Sequence, residues 1–365
     1  MSHDRYHIGI DVGGTFTDLV VCDRTDGALT LHKVPTTPQD IASGISAALE
    51  KSGAPAAEIA EIAHGTTVAT NALLERKGAR TGLLTTAGFR DLLELRDGGR
   101  RPLRGWQPAF EPIVPRHRRW EVSERMDPSG SVLQALAEDG VAALVSRLAE
   151  HGVEALAISF LHADRNAAHE RRAREILRQL WPTGALVVGS EVSPFPGERL
   201  RTATAALAAY LTPLMTRYVD GLERVLADAG MSPVFRFIES AGASLTPEEV
   251  RRSPVQTILS GPAGGAVAGA ALSQLLRLTS AATADMGGTS FDVSLLQDGQ
   301  PQLRTDRTLE FGLRVAVPCV DIQTVGIGGG SLAWLDESVA GGLQVGPQSA
   351  GAVPGPACFG KAGGN

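Results

Sequence analysis

Along the first half of the chain, short apolar runs alternate with apolar repeats at helical spacing. Runs at residues 7–10 and 19–22 flank a glycine turn, which predicts a hairpin over residues 6–22 and a third strand over 29–34. Pro35 and Pro38 end that pattern. Ile41, Ile45, Ala48 and Leu49 then recur at helical spacing, and Gly53 closes the helix. Residues 59–63, 80–85 and 118–122 read as strands, and residues 97–115, rich in Gly, Pro and Arg, as a long loop. Val141, Leu144, Val145 and Leu148 share one helical face. Residues 155–161 are almost all apolar, as in a strand buried on both faces, and 185–189 repeat that signal. Asn166 can cap the intervening helix, which runs through Leu180. Strand and helix in alternation predict an α/β fold.

The second half starts differently. Residues 198–229 form one long helical stretch, interrupted or kinked at Pro213. A strand at 234–238 precedes Thr246-Pro247-Glu248-Glu249, a capping box with proline at the first helical position. Ser260-Gly261-Pro262-Ala263-Gly264-Gly265 then opens an apolar helix whose small residues point to a close helix contact. A second hairpin follows directly. Residues 341–365 are rich in Gly and Pro with little periodicity.

The two hairpins repeat each other at their turns. Residues 11–18 read Asp-Val-Gly-Gly-Thr-Phe-Thr-Asp, and residues 285–292 read Asp-Met-Gly-Gly-Thr-Ser-Phe-Asp. The copies agree at Asp11/Asp285, Gly13/Gly287, Gly14/Gly288, Thr15/Thr289 and Asp18/Asp292. Paired glycines let the backbone approach an anion and present several N–H groups to it. Thr15 and Thr289 add a hydroxyl donor. Asp11 and Asp285, each ending the first strand of its hairpin, suit a hydrated divalent cation, above all Mg2+ on a nucleotide. Asp-x-Gly-Gly is also ordinary hairpin-turn chemistry, but two copies matching at the chemically useful positions favour phosphate binding. Two further stretches stay open on the residues alone. His64-Gly65-Thr66-Thr67-Val68-Ala69-Thr70-Asn71 is a strand-to-helix junction that either binds an anion or simply caps a helix. Gly326-Ile327-Gly328-Gly329-Gly330 is a third glycine turn, compatible with a phosphate or a tight bend.

Composition narrows the field. The 365 residues suit two domains, and Pro194 and Pro196 mark the expected boundary, giving domains over 1–192 and 193–365. A net charge of −6, with charged residues interspersed, gives no nucleic-acid footprint. The one basic cluster, Arg96 to Arg104 with Arg116, Arg118 and Arg119, reads as a solvated loop. The 3 cysteines form no Cys-x-x-Cys pair and the 8 histidines are scattered, so no disulfide framework or zinc site is indicated. No signal peptide is visible, and no apolar run reaches the roughly 18 residues of a membrane span. A soluble, cytoplasmic protein with no membrane or nucleic-acid partner is expected.

The twin hairpins resemble the two phosphate loops of the actin, sugar kinase and Hsp70 ATPase superfamily. Within it, the chain is similar to the hydantoinase A / 5-oxoprolinase family. The matching segments are IGIDVGGTFTDLVV, AHGTTVATNALLERKGARTGLLTTAGFRDLLEL, SGPAGGAVAGA, ADMGGTSFDVSL, TVGIGGGSLAW and VGPQSAGAVPGPACFGKAGG, spread from Ile8 to Gly364. The resemblance implies two actin-like (ribonuclease H-like) domains with mixed sheets. The first would be the family's N-terminal domain and the second its hydantoinase A domain, expected to be truncated at its C-terminus. It implies ATP-dependent hydrolysis of a hydantoin or a 5-oxoproline-like lactam, with the ATP-binding subunit of a ketone carboxylase as alternative. The implied cofactors are ATP and Mg2+, and the implied partner is a hydantoinase B-like second subunit in an oligomer. Asp11, Thr15, Asp285 and Thr289 would be catalytic, with Asp11 and Asp285 around the metal. Gly13, Gly14, Thr15, Thr17, Gly287, Gly288, Thr289 and Ser290 would bind the nucleotide, and Asp18 and Asp292 would fix the hairpins. His64, Thr66, Thr67, Asn71 and Arg100 would line the substrate side.

The chain departs from the family pattern in its second half. Gln323 stands where a His is usual and Val353 where an Asp is usual. Glu239-Ser240-Ala241-Gly242-Ala243 replaces a Gln-Ser-Asn-Gly-Gly-like segment, and Leu200 and Ala208 replace a Glu and an Asn. These losses of polar side chains keep a third alternative in view, a non-catalytic nucleotide switch of the reactivase kind.

Overall fold

The computed structural model describes residues 5–13, 16–36, 41–95, 111–288, 290–309, 312–336, 341–350 and 355–357. Strands β1 (Tyr6–Val12), β2 (Phe16–Asp23) and β3 (Leu29–Pro35) form an antiparallel meander. Helix α1 (Ile41–Ser52) leads to β4 (Ile59–Thr66), which runs parallel to β1, and then to α2 (Val68–Leu74). The period of two along β1 buries Ile8, Ile10 and Val12 and turns Asp11 to the other, solvent-facing side.

A second sheet follows. Its strands are β5 (Thr81–Thr86), β6 (Arg119–Val122), β7 (Ala155–Ser159) and β8 (Ala185–Val188), in the order β8-β7-β5-β6 and all parallel. Helices α3 (Glu138–Glu150) and α4 (Ala168–Leu180) provide crossovers. Every residue of β7 is buried, which explains its unbroken apolar run. One basic residue expected in a solvated loop is not there: Arg119 is buried, bound to Glu94 and to the carbonyls of Arg90 and Val114. Its aliphatic stem fills space while the fork satisfies carbonyls that burial would leave bare. Residues 96–110, including Arg100, lie outside the described residues.

Helix α5 (Glu198–Asp228) runs 31 residues and passes through Pro213 without ending. Its buried Ala205, Leu207, Leu211, Met215 and Val219 belong to one core with Ile8 and Ile10 of the first sheet and Leu83 and Ala157 of the second. Strands β9 (Val234–Ile238) and β10 (Ser244–Leu245) come next, and β9 pairs with β4. The first sheet therefore has the order β10-β9-β4-β1-β2-β3. It takes strands from both sides of residue 192.

Helix α6 (Ser260–Leu275) follows Leu259, a left-handed residue at φ 66. Strands β11 (Ser280–Met286) and β12 (Phe291–Gln297) form the second glycine hairpin, and β13 (Gln300–Pro301) and β14 (Ile322–Val325) extend its sheet. Strand β15 (Ser331–Asp336) pairs with β16 (Gly342–Ser349), which lies in the stretch that lacked periodicity. Their side chains are largely exposed, which is why no alternation marked them. Among the described residues, no helix is long and apolar enough to cross a membrane.

Candidate functional site

The two hairpins are built alike. In the first, Asp11 pairs with Asp18 and Val12 with Thr17, and Gly13 N–H donates to the Phe16 carbonyl at 3.0 Å. In the second, Asp285 pairs with Asp292 and Met286 with Phe291, and Gly287 N–H donates to the Ser290 carbonyl at 2.9 Å. Each turn thus spends its first glycine N–H on closing the loop. Gly14, Thr15 and Thr289 lie outside the described residues.

Glycines surround both aspartates. A Cβ on Gly65 would sit 3.1 Å from Asp11 Oδ1, and one on Gly261 3.5 Å from the same atom. A Cβ on Gly265 would lie 4.0 Å from Asp285 Oδ2. Gly261 and Gly265 belong to the first turns of α6, so that end of the helix lies beside both hairpins. The small residues of that segment make a close approach to carboxylates as well as to neighbouring elements. Asp11 reaches solvent, yet the surrounding protein strips enough water from it to push its pKa up to about 6. The carboxylates of Asp18 and Asp285 push the same way, and Lys33 opposes them. Asp11 and Asp285 thus lie near enough for one charge to act on the other, and carboxylate oxygens are the donor type that a hard divalent cation takes.

The partner aspartates hold the hairpins in place. Asp292 accepts hydrogen bonds from the hydroxyls of Ser290 (3.2 Å) and of Thr324 on β14 (2.6 Å). Asp18 pairs with Lys33 of β3 at 2.6 Å. The third glycine turn is a brace. Gly329 N–H donates to the Gly287 carbonyl at 2.9 Å, and Gly330 N–H to the Gly288 carbonyl at 2.8 Å.

Several residues expected at the nucleotide or substrate stand elsewhere. Thr17 faces the core, 2% exposed, and its hydroxyl shares a hydrogen bond with Thr36 at 3.1 Å. The Thr36 hydroxyl donates in turn to the Gly13 carbonyl at 2.9 Å. Strand alternation puts Thr17 opposite buried Val12, so it supports the turn from beneath. His64 is fully buried: Nδ1 lies 3.3 Å from the Ile10 carbonyl and Nε2 2.5 Å from the Tyr218 hydroxyl. Thr66 is also fully buried, its N–H donating to Ser260 Oγ at 3.1 Å and its carbonyl accepting from that hydroxyl at 2.8 Å. Both lie on β4, which runs on to Thr66 instead of stopping at residue 63, and burial removes them from any substrate. Thr67 and Asn71 are half-buried; the Thr67 hydroxyl donates to the Val12 carbonyl at 3.1 Å, and Asn71 Nδ2 to Thr67 Oγ1 at 3.2 Å. Tyr218 was missed altogether: it sits on α5, far from the motif in sequence, and nothing local marks it.

A separate group, His162, Asp164 and Glu198, brings three ligand atoms within 4.8 Å of one another. The buried guanidinium of Arg201 already pairs with Asp164 at 3.0 Å and supplies the positive charge there.

Comparison with known proteins gives two family-model matches, "Hydantoinase/oxoprolinase N-terminal region" over residues 7–181 and "Hydantoinase/oxoprolinase" over residues 201–365. The chain is 38% identical to caprolactamase subunit alpha of Pseudomonas jessenii, covering 100% of this chain and 53% of that subunit. The chain thus spans about half the length of that relative. Among solved structures, the ATP-dependent caprolactamase from the same organism matches with a TM-score of 0.84 at 38% identity, over 98% of this chain and 53% of that one. Nucleotide-free acetone carboxylase matches with a TM-score of 0.80 at 28% identity, over 96% of this chain and 51% of that one. The mixed α/β architecture is the actin-like ATPase fold of these neighbours.

Proposed function

Because the chain belongs to the hydantoinase/oxoprolinase family, we propose that it forms the nucleotide-binding part of an enzyme that opens a cyclic amide with ATP. The observation that carries this reading is the duplicated hairpin, with Asp11 feeling the charge of Asp285 beside the glycine end of α6. An unstrained amide is a poor electrophile. Moving the γ-phosphoryl of ATP to the amide oxygen, with ADP departing, makes the carbonyl carbon open to water. Water adds there, the ring C–N bond breaks with proton transfer to nitrogen, and phosphate is released. Such a reaction needs positioning and charge neutralisation more than covalent work by the protein.

The backbone N–H groups of the two glycine turns would hold phosphates from opposite sides. Asp11 and Asp285 would hold Mg2+, which when bound neutralises phosphate charge. Asp18 and Asp292 keep the hairpin ends in place through Lys33, Ser290 and Thr324. The 38% identity to the caprolactamase subunit supports a lactam-like ring as substrate. The structural likeness to acetone carboxylase supports a second reading, phosphorylation of bicarbonate or an enol before ketone carboxylation. That the relative is a subunit alpha supports a hydantoinase B-like partner subunit.

Phosphate release by the full-length protein with its partner subunit tests these readings. Stimulation by 5-oxoproline, hydantoin or caprolactam alone supports ring opening. Stimulation only by ketone plus bicarbonate assigns the carboxylase reading instead. Slow turnover indifferent to every addition rejects both and leaves the nucleotide switch.

A further inference from the structure

We infer that His64 is a positioning residue: its ring donates from Nδ1 to the Ile10 carbonyl and, locked by Tyr218 on α5, fixes how Asp11 leaves β1. This rests on the nucleotide reading of the hairpins. A carbonyl can only accept, so the contact at Ile10 requires a proton on Nδ1. Nε2 is then the acceptor, and the Tyr218 hydroxyl must donate to it at 2.5 Å. Burial supports both states. It pulls the His64 pKa down to about 4, so the ring is neutral, and it raises that of Tyr218, so the phenol keeps its proton. The ring centroids of Tyr218, Phe235 and Phe237 lie 5.4–6.0 Å from that of the fully buried imidazole.

The placement matters because of what comes next along both strands. Ile10 pairs with His64, Asp11 with Gly65 and Val12 with Thr66. The β4 side thus meets three consecutive positions of β1. His64 holds the Ile10 carbonyl, Gly65 leaves room for the Asp11 carboxylate, and the Thr67 hydroxyl holds the Val12 carbonyl. Ser260 clamps Thr66 from α6. The His64 link reaches back to Tyr218 on the long helix, whose core holds residues of both sheets. A core position that needed volume alone would take Leu or Phe without the cost of desolvating an imidazole.

The test uses the full-length protein. Long-range 15N spectra should show His64 protonated at Nδ1 in the wild type and still at Nδ1 in Tyr218→Phe, where the Ile10 carbonyl remains the acceptor. His64→Asn keeps a donor near Nδ1, whereas His64→Gln offers its amide near Nε2. Calorimetry with Mg·ADP, and with ADP in EDTA, should show His64→Gln weakening Mg·ADP about tenfold, with ADP alone changed less than about twofold. His64→Asn should recover most of that loss although both variants melt earlier. Equal losses in Asn and Gln, equal losses with and without Mg2+, or an Nε2–H tautomer in the wild type would overturn the assignment. A wild type that binds Mg·ADP no better than ADP in EDTA, or binds neither, would overturn the nucleotide reading and the positioning role with it. Failure of the inference alone shows instead as tight wild-type Mg·ADP binding that the variants do not separate.

Discussion

At the scale of residues, one imidazole carries a pH dependence whose sign follows from its surroundings. The His64 pKa is pulled down to about 4 by burial, partly offset by its bond to the Ile10 carbonyl. Between pH 6.5 and pH 4 the unfolded chain therefore binds a proton at this site that the folded chain does not. Its contribution is complete above pH 6.5 and is lost as pH falls toward 4, by about 3 kcal/mol in all. Urea unfolding at pH 7 and pH 4.5 should show a smaller acid loss in His64→Asn than in the wild type. An identical acid loss in both would mean that His64 titrates normally. The same residue shows where the sequence stopped speaking. Asp11 and Asp285 were legible because their chemistry repeats in a fixed local frame. The family resemblance put His64 and Thr66 on the substrate side and Thr17 at the nucleotide. Their burial depends on α5, Ser260 and Thr36, which local spacing does not contain.

At the scale of elements, strands and turns with local partners were legible, and elements defined by distant partners were not. The hairpins, the capping box at Thr246 and the buried strand β7 each carry their own signal. The third glycine turn does not, since a phosphate loop and a brace need the same residues. Its N–H groups bond to the carbonyls of Gly287 and Gly288, which makes it a support for the second hairpin. Space there is tight: a Cβ on Gly330 would lie 2.9 Å from the Gly288 carbonyl oxygen and 3.0 Å from Ser349 Oγ. Gly330→Ala should therefore displace the second hairpin while leaving the first untouched. Binding of Mg·ADP should weaken about tenfold, or ~1.4 kcal/mol, with β1–β4 amide shifts unchanged. Unchanged affinity would show that the brace and the second phosphate loop are independent.

At the scale of the molecule, α5 decides which parts fold together. Its buried side chains join one core with residues of the first sheet and of the second. The sequence could not show this, because the pairing of β9 with β4 joins residues 234–237 to residues 61–64. The third sheet has less to hold it. Its buried cluster with α6 comprises Ala263, Ala266, Val320 and Ile322, while Leu275 of α6 and Leu295 of β12 stay exposed. Local opening follows buried apolar contact, so two levels of protection are expected in native-state hydrogen exchange. Amides of β1, β4, β7 and α5 should exchange only through global unfolding, whereas those of β11 and β12 should exchange through a smaller opening. A nucleotide held by both hairpins would stabilise the closed form by mass action, so saturating Mg·ADP should raise protection in β11 and β12 more than in α5. Equal protection of the two sets without nucleotide would refute the two-level picture. If protection in β11 and β12 stays unchanged at saturation, the bound nucleotide touches only the first hairpin.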